Sequence, residues 1–216
     1  SQGILEPLVD LRLSSIRYYE FSYGHIGDIK ILLSRTGYTG EKGFELYFDA
    51  KAGPSVWSRL VESGVTVGKK LEPIGLAARD TLRLEMRYAL YGNELSEEVT
   101  PLEAGLKWTV GFSKKNFIGK EAIEKQDRQG VLKKSIGFEM AGKGIPRSGY
   151  HIYCNGKKIG KVTSGTQSPS LGKGIGMGLV DAGVVNAGDT LSIEIRGKSV
   201  PAKVVRGAFV QSETGS

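Results

Sequence analysis

The sequence predicts an α+β protein rich in antiparallel strand, closing in a small all-β domain. Three observations carry that reading. Short runs of alternating apolar and polar residues recur along the chain, divided by turn residues, and thirty-one glycines supply much of that punctuation. Two segments of the first half repeat apolar residues at helical spacing instead. From residue 131 onward that helical spacing gives way to strands and turns alone.

Taken in order, "IRYYEFSYG" and "DIKILLSRT" read as a strand pair joined around His25 to Asp28, and "GFELYF" as a third strand. A helix follows, with Pro54 placed for its first turn. Val56, Trp57, Leu60 and Val61 recur along it, and Gly64 is expected to close it. The segment "PIGLAARDTLRLEMRYAL" sets Leu76, Leu82, Leu84 and Met86 among good helix formers behind Pro73. The texture changes at "QDRQGVL", Gln126 to Leu132. Beyond it come "KKSIGFEMA", "GYHIYCNGKKIGKVTSG", "GIGMGLV" and "DTLSIEIRGKSVPAKVVRG", with hairpin signals at Asn155-Gly156 and in "IRGKSV". About six strands so closely spaced suggest a small antiparallel barrel or jelly roll. The expected organisation is therefore an α+β region over residues 1–130 and a β-barrel domain over 131–216.

Composition narrows the function classes. A hydrophobic content of 39% is enough for ordinary soluble cores, and no apolar run reaches the roughly 18 residues of a membrane span. No basic stretch followed by an apolar core opens the chain, so no signal peptide is visible. The single cysteine, Cys154, excludes an internal disulfide framework and fits a reducing compartment. With two histidines, His25 and His151, no dedicated zinc site is expected. The formal charge of +7 comes from short, scattered groups of lysine and arginine with acids between them, which suits a solvated basic surface better than a nucleic-acid groove. Attraction of a small polyanionic ligand or an acidic partner fits that charge equally well.

Candidate chemistry is sparse. "GKGIGMGLV" has the glycines of a dinucleotide loop, but it lies among hairpins with no helix after it. It reads instead as the entry to a strand that needs close backbone approach. Serine, histidine and aspartate are present without a nucleophile elbow, so no hydrolase triad is expected. Glu45 is more distinctive. Alternation sets Phe44, Leu46 and Phe48 on one face of its strand and Glu45 with Tyr47 on the other. That other face is either solvent or a cavity wall, where a carboxylate would take paired donors from a planar heterocycle. Arg79 poses a similar choice. With Asp80, Arg83, Glu85 and Arg87 it could form side-chain pairs on a wet helix face, or its guanidinium could be aimed at a ligand carboxylate or a buried acid.

Five blocks, "SRTGYTGEKGFELYF", "GLAARDTLRLEMRYALYGNELSEEVTPLEAGLKWTVGF", "FIGKEAI", "GIPRSGY" and "GKVTSGTQSPSLGKGIGMGLV", closely resemble the T-protein of the glycine cleavage system. The resemblance runs in order from near residue 1 to about Val210. It implies a tetrahydrofolate-dependent aminomethyltransferase. Such an enzyme takes the aminomethyl group from the lipoyl arm of the H-protein, releases ammonia and forms methylenetetrahydrofolate. It implies a cloverleaf of three domains around a folate channel, ending in a β-barrel or jelly roll, so residues 1–130 would belong to the folate-binding core. Glu45 matches the family's pterin-recognising glutamate, and Arg79 the arginine of the same folate site. Tyr38 and Tyr91 are candidates for lining the channel. Tetrahydrofolate is the implied co-substrate and lipoylated H-protein the implied partner, with no metal, no nucleic acid and no membrane. The implied location is the cytoplasm, or the mitochondrial matrix in a eukaryote.

The resemblance also carries departures. Family members place a domain and a catalytic aspartate upstream of the stretch matching Ser1, and neither Asp10 nor Asp28 sits in the context of that aspartate. The chain is therefore expected to be the C-terminal portion of the enzyme, with no catalytic residue of its own and no turnover when alone. Arg87 stands where glycine is common in the family, and it would need an outlet to solvent. The tail "GAFVQSETGS" offers no tyrosine or tryptophan to close over a ligand. The competing readings are a non-catalytic folate- or partner-binding fragment, a relative serving iron–sulfur assembly, and a nucleic-acid-binding domain. The second of these calls for a cysteine in a K-G-C-Y-x-G-Q type motif, whereas Cys154 lies in "IYCNGK".

Overall fold

The computed structural model describes residues 1–212. They cluster into two compact units, one formed by residues 1–79 with Ser212, the other by Asp80–Gln211. No helix among the described residues is long and apolar enough to cross a membrane.

The first unit is a three-stranded antiparallel sheet backed by a helix. A four-residue helix α1 (Gln2–Leu5) opens it, followed by β1 (Phe21–Ile26), β2 (Ile29–Ser34) and β3 (Glu45–Tyr47) in the order β1-β2-β3. The register pairs Ile26 with Ile29 across the Gly27-Asp28 turn and Ser34 with Glu45 at the far end. Alternation then decides which side chains enter the core. Ile31 and Leu33 of β2 are buried, and Phe44, Leu46 and Phe48 pack on them from the third strand. Helix α2 (Gly53–Thr66) adds Val56 and Leu60 to that core. Its Arg59 donates from Nη1 to the Ile26 carbonyl (2.7 Å) and from Nη2 to Asp28 Oδ1 (3.2 Å), pinning the helix to the hairpin turn.

Two expectations for α2 need correction. Gly64 does not close the helix, which continues to Thr66; Gly64 is a buried packing position, where an added Cβ would stand 2.8 Å from the Lys69 carbonyl oxygen. Trp57, expected on the apolar stripe, is exposed. The helix turns Val56 inward, and its neighbour one residue on points about 100° away.

The second unit is built around a closed six-stranded antiparallel barrel, so the expected fold class is the one observed. Helix α3 (Leu76–Glu85) enters it, and α4 (Lys120–Gln129) precedes the barrel. The strands are β4 (Lys133–Met140), β5 (His151–Cys154), β6 (Lys157–Ser168), β7 (Lys173–Asp181), β8 (Thr190–Ile195) and β9 (Lys198–Val205). Their order is β4-β7-β6-β5-β8-β9, and β9 returns to β4 through Gly137–Met140. Phe138, Ile152, Val162, Val180, Leu191 and Ile193 fill the interior. Both anticipated tight turns have two successive positive φ values, 49° and 74° at Asn155-Gly156 and 50° and 74° at Arg196-Gly197. Such turns twist with the strands they join.

The glycines of "GKGIGMGLV" serve packing, as their setting among hairpins suggested. A Cβ on Gly176 would lie 2.5 Å from the tip of the Phe138 ring, and one on Gly174 2.8 Å from Met140 Cγ. The intervening Ile175 and Met177 point the other way, into a second cluster with Leu84 of α3 and Phe209. One strand thus carries a flat inner face and an apolar outer face.

Candidate functional site

The Gly/Thr-rich turn of residues 35–44 connects β2 to β3 and sets the surroundings of Glu45. Because Phe44 and Leu46 face the core, Glu45 is presented on the opposite, exposed face. Thr36 of the same turn donates its hydroxyl to Glu45 Oε2, and Thr36 Oγ1 also lies 3.0 Å from Ser34 Oγ. The carboxylate is therefore oriented by its own turn, while Oε1 accepts no hydrogen bond among the described residues.

Tyr38 lies two residues past Thr36, and the Arg79 guanidinium stacks over its ring at 4.6 Å from the centroid. Such a contact contributes about 0.5–1 kcal/mol at an exposed site. The first unit thus brings Tyr38 and Arg79 into contact and fixes Glu45 to the same turn. Ser212 also reaches this turn, donating its hydroxyl to the Gly40 carbonyl (3.0 Å). Tyr91 belongs to the second unit, where it is exposed and bridges to Leu95.

The wet-face alternative for the charges of α3 fails at two of its members. Arg83 is fully buried and Glu85 nearly so. Arg83 is the centre of a polar network: Nε donates to Asp80 Oδ1 (2.8 Å), Nη1 to Glu94 Oε2 (3.0 Å) and to the Tyr88 carbonyl (3.1 Å), and Nη2 to Ser164 Oγ (2.8 Å). Glu94 is completed by the Thr163 hydroxyl (2.6 Å) and the Leu90 amide (3.0 Å). This cross-link ties α3 and the "YGNEL" loop to β6. Glu85 is held differently, by the hydroxyls of Ser168 (2.5 Å) and Ser170 (3.1 Å), and forms no ion pair among the described residues. Only the Asp80–Arg83 spacing within α3 signalled any of this; Glu94 and Ser164 are 11 and 81 residues from Arg83.

His25 pairs with Asp10 in the open, its ring nitrogen 2.9 Å from Asp10 Oδ2. The His25 backbone amide, at 2.6 Å, and then its ring hold the Asp10 carboxyl below the ordinary aspartate value. Among the described residues no group of three or more His, Cys, Asp or Glu is arranged to hold a metal ion.

The GCVT N-terminal domain model matches residues 1–114, and the glycine cleavage T-protein C-terminal barrel domain model matches residues 133–211. The chain belongs to the glycine cleavage T-protein family. The aminomethyltransferase of Halothermothrix orenii is 47% identical over 210 residues, covering 97% of this chain and 58% of that protein. The aminomethyltransferase of Desulfitobacterium hafniense strain DCB-2 is 46% identical over 213 residues, with 99% and 58% covered. The crystal structure of the glycine cleavage system aminomethyltransferase T from Bartonella henselae superposes with a TM-score of 0.87 at 29% identity, over 97% of this chain and 56% of that one. The chain thus spans a little under 60% of the length of these T-protein relatives, 58% in both sequence comparisons.

Proposed function

We propose that this chain contributes the folate-recognising part of a tetrahydrofolate-dependent aminomethyltransferase of the glycine cleavage system. In that reading Glu45 accepts the ring N–H and amino group of the pterin, Arg79 holds an acidic group of the ligand or channel, and Tyr38 and Tyr91 line its path. Tetrahydrofolate, when bound, supplies the nitrogens that take up the one-carbon unit. The residues named here bind and orient it; none of them moves a proton in the transfer.

The observation that supports this reading is the state of Glu45. Its carboxylate is exposed and held at Oε2 by Thr36, with no bond to Oε1 among the described residues, beside a turn whose Tyr38 has the Arg79 guanidinium over its ring. A carboxylate so placed has the acceptor capacity that a pair of adjacent N–H donors needs. The substrate of the whole protein is then the aminomethyl group on a lipoylated H-protein, released as ammonia and methylenetetrahydrofolate. An assay of ammonia release from aminomethyl-loaded H-protein by the full-length protein tests it. Release that depends on tetrahydrofolate and falls in Glu45→Gln is the expected result. Release independent of tetrahydrofolate would overturn the reading.

A further inference from the structure

β9 ends at Val205, short of the start of β4 at Lys133. Their pairing stops at Gly137 with Val205, whereas β4 continues toward Lys134 paired to β7 alone. Beside that end lies a cavity of about 250 Å³ whose wall includes Arg87, Lys134, Ser135, Asn186 and Arg206.

Three of those five side chains are cationic, and none of the three forms an ion pair among the described residues. Arg87 is the most committed. Its backbone adopts the left-handed region (φ 55°), and its stem lies against Gly137, where an added Cβ would stand 2.7 Å from Arg87 Cδ and Nε. The guanidinium is half-buried on the wall of the cavity. Nη1 donates to the carbonyls of Val205 (3.3 Å) and Gly207 (3.2 Å), and burial pushes the group below its ordinary pKa. A half-buried guanidinium facing only carbonyls is a charge without a counter-charge. The second observation is independent. Ser135 is buried, and its hydroxyl is the one buried side-chain polar atom among the described residues that finds no hydrogen-bond partner. In the loop that carries Asn186, Asp189 accepts from the Asn186 amide (2.8 Å).

We propose that this cavity binds a phosphate group, free or as a monoester, with Arg87 as its planar fork, Lys134 and Arg206 as flanking cations and the Ser135 hydroxyl as a neutral donor. A phosphate offers several strong acceptor oxygens and close to two negative charges, matching a site of three cations and a hydroxyl better than a single carboxylate does. The site shares no residue with Glu45, Tyr38 and Arg79, and its test is independent of folate recognition.

The test is calorimetric titration of inorganic phosphate into the protein without folate, at constant ionic strength against sodium chloride, with glycerol 3-phosphate as a second titrant. Saturable binding with Kd of about 1 mM or tighter is expected. Tighter binding of the ester identifies a phosphate monoester as the occupant, and equal or weaker binding identifies free phosphate. Arg87→Gly keeps the left-handed backbone and should weaken binding by about tenfold or more. Arg206→Ala, at an exposed position, should weaken it several-fold with the fold unaltered. Ser135→Ala should weaken phosphate binding while leaving the midpoint of the ligand-free protein unchanged or raised, because its hydroxyl makes no bond to lose. No saturation by about 10 mM phosphate, or equal affinity in Arg206→Ala and Ser135→Ala, overturns the proposal.

Discussion

The guanidinium of Arg83 and the carboxylate of Glu94 meet at 3.0 Å with both side chains sealed from solvent. Taking two charges out of water is costly, and the geometry offsets that cost by giving each further hydrogen bonds: Asp80, Tyr88 and Ser164 for the arginine, Thr163 and Leu90 for the glutamate. Removing one partner leaves the other charge buried and unpaired. Glu94→Ala is expected to destabilise the protein by about 3–5 kcal/mol. Urea unfolding checks this, and a loss below about 1 kcal/mol would mean that water replaces the carboxylate freely.

Gly176 faces the barrel interior against Phe138. Gly176→Ala should cost about 1–3 kcal/mol, because the ring has to leave its rotamer or the strand has to shift. Thermal unfolding reads this directly, and an unchanged midpoint would show that the interior has slack at Phe138.

Asp10 supplies a pH dependence of definite sign. The His25 amide and ring depress its folded pKa, so its contribution to stability is present above the ordinary aspartate value and is lost as pH falls through the lower folded value. Asp10→Asn is expected to lower the unfolding midpoint at neutral pH, and the gap to the parent should close on acidification. A gap that stays constant with pH would remove the Asp10–His25 contact as its source.

The Arg79 guanidinium lies over the Tyr38 ring, 4.6 Å from its centroid. Arg79→Lys keeps the charge and loses the plane. It should change stability by less than about 1 kcal/mol and yet weaken tetrahydrofolate binding several-fold. Loss of stability with unchanged binding would make Arg79 a support for the turn alone.

How much of this was legible in the sequence follows from how local each determinant is. The strand pairs and the Asn155-Gly156 and Arg196-Gly197 turns are specified by residues a few positions apart, and they are observed where expected. The glycines of β7 also read correctly, since their hairpin setting argued against a phosphate loop. Helix α4 did not stand out because it buries none of its residues and so carries no apolar stripe. The fate of Arg83 was unreadable for another reason. On α3 it has the pattern of a solvated charge, and only the return of the chain at Ser164 and Glu94 makes a buried site of it. Glu45 lies between these cases: alternation placed it opposite the core, while the Thr36 bond to its Oε2 depends on the curl of the turn.

The most direct test of the account is calorimetric titration of tetrahydrofolate, under anaerobic reducing conditions, into the parent protein and Glu45→Gln side by side. Saturable binding to the parent, weakened about tenfold or more in a variant of equal thermal stability, is the predicted result. Equal affinity in the two proteins would contradict it, because the carboxylate would then have no part in holding the pterin.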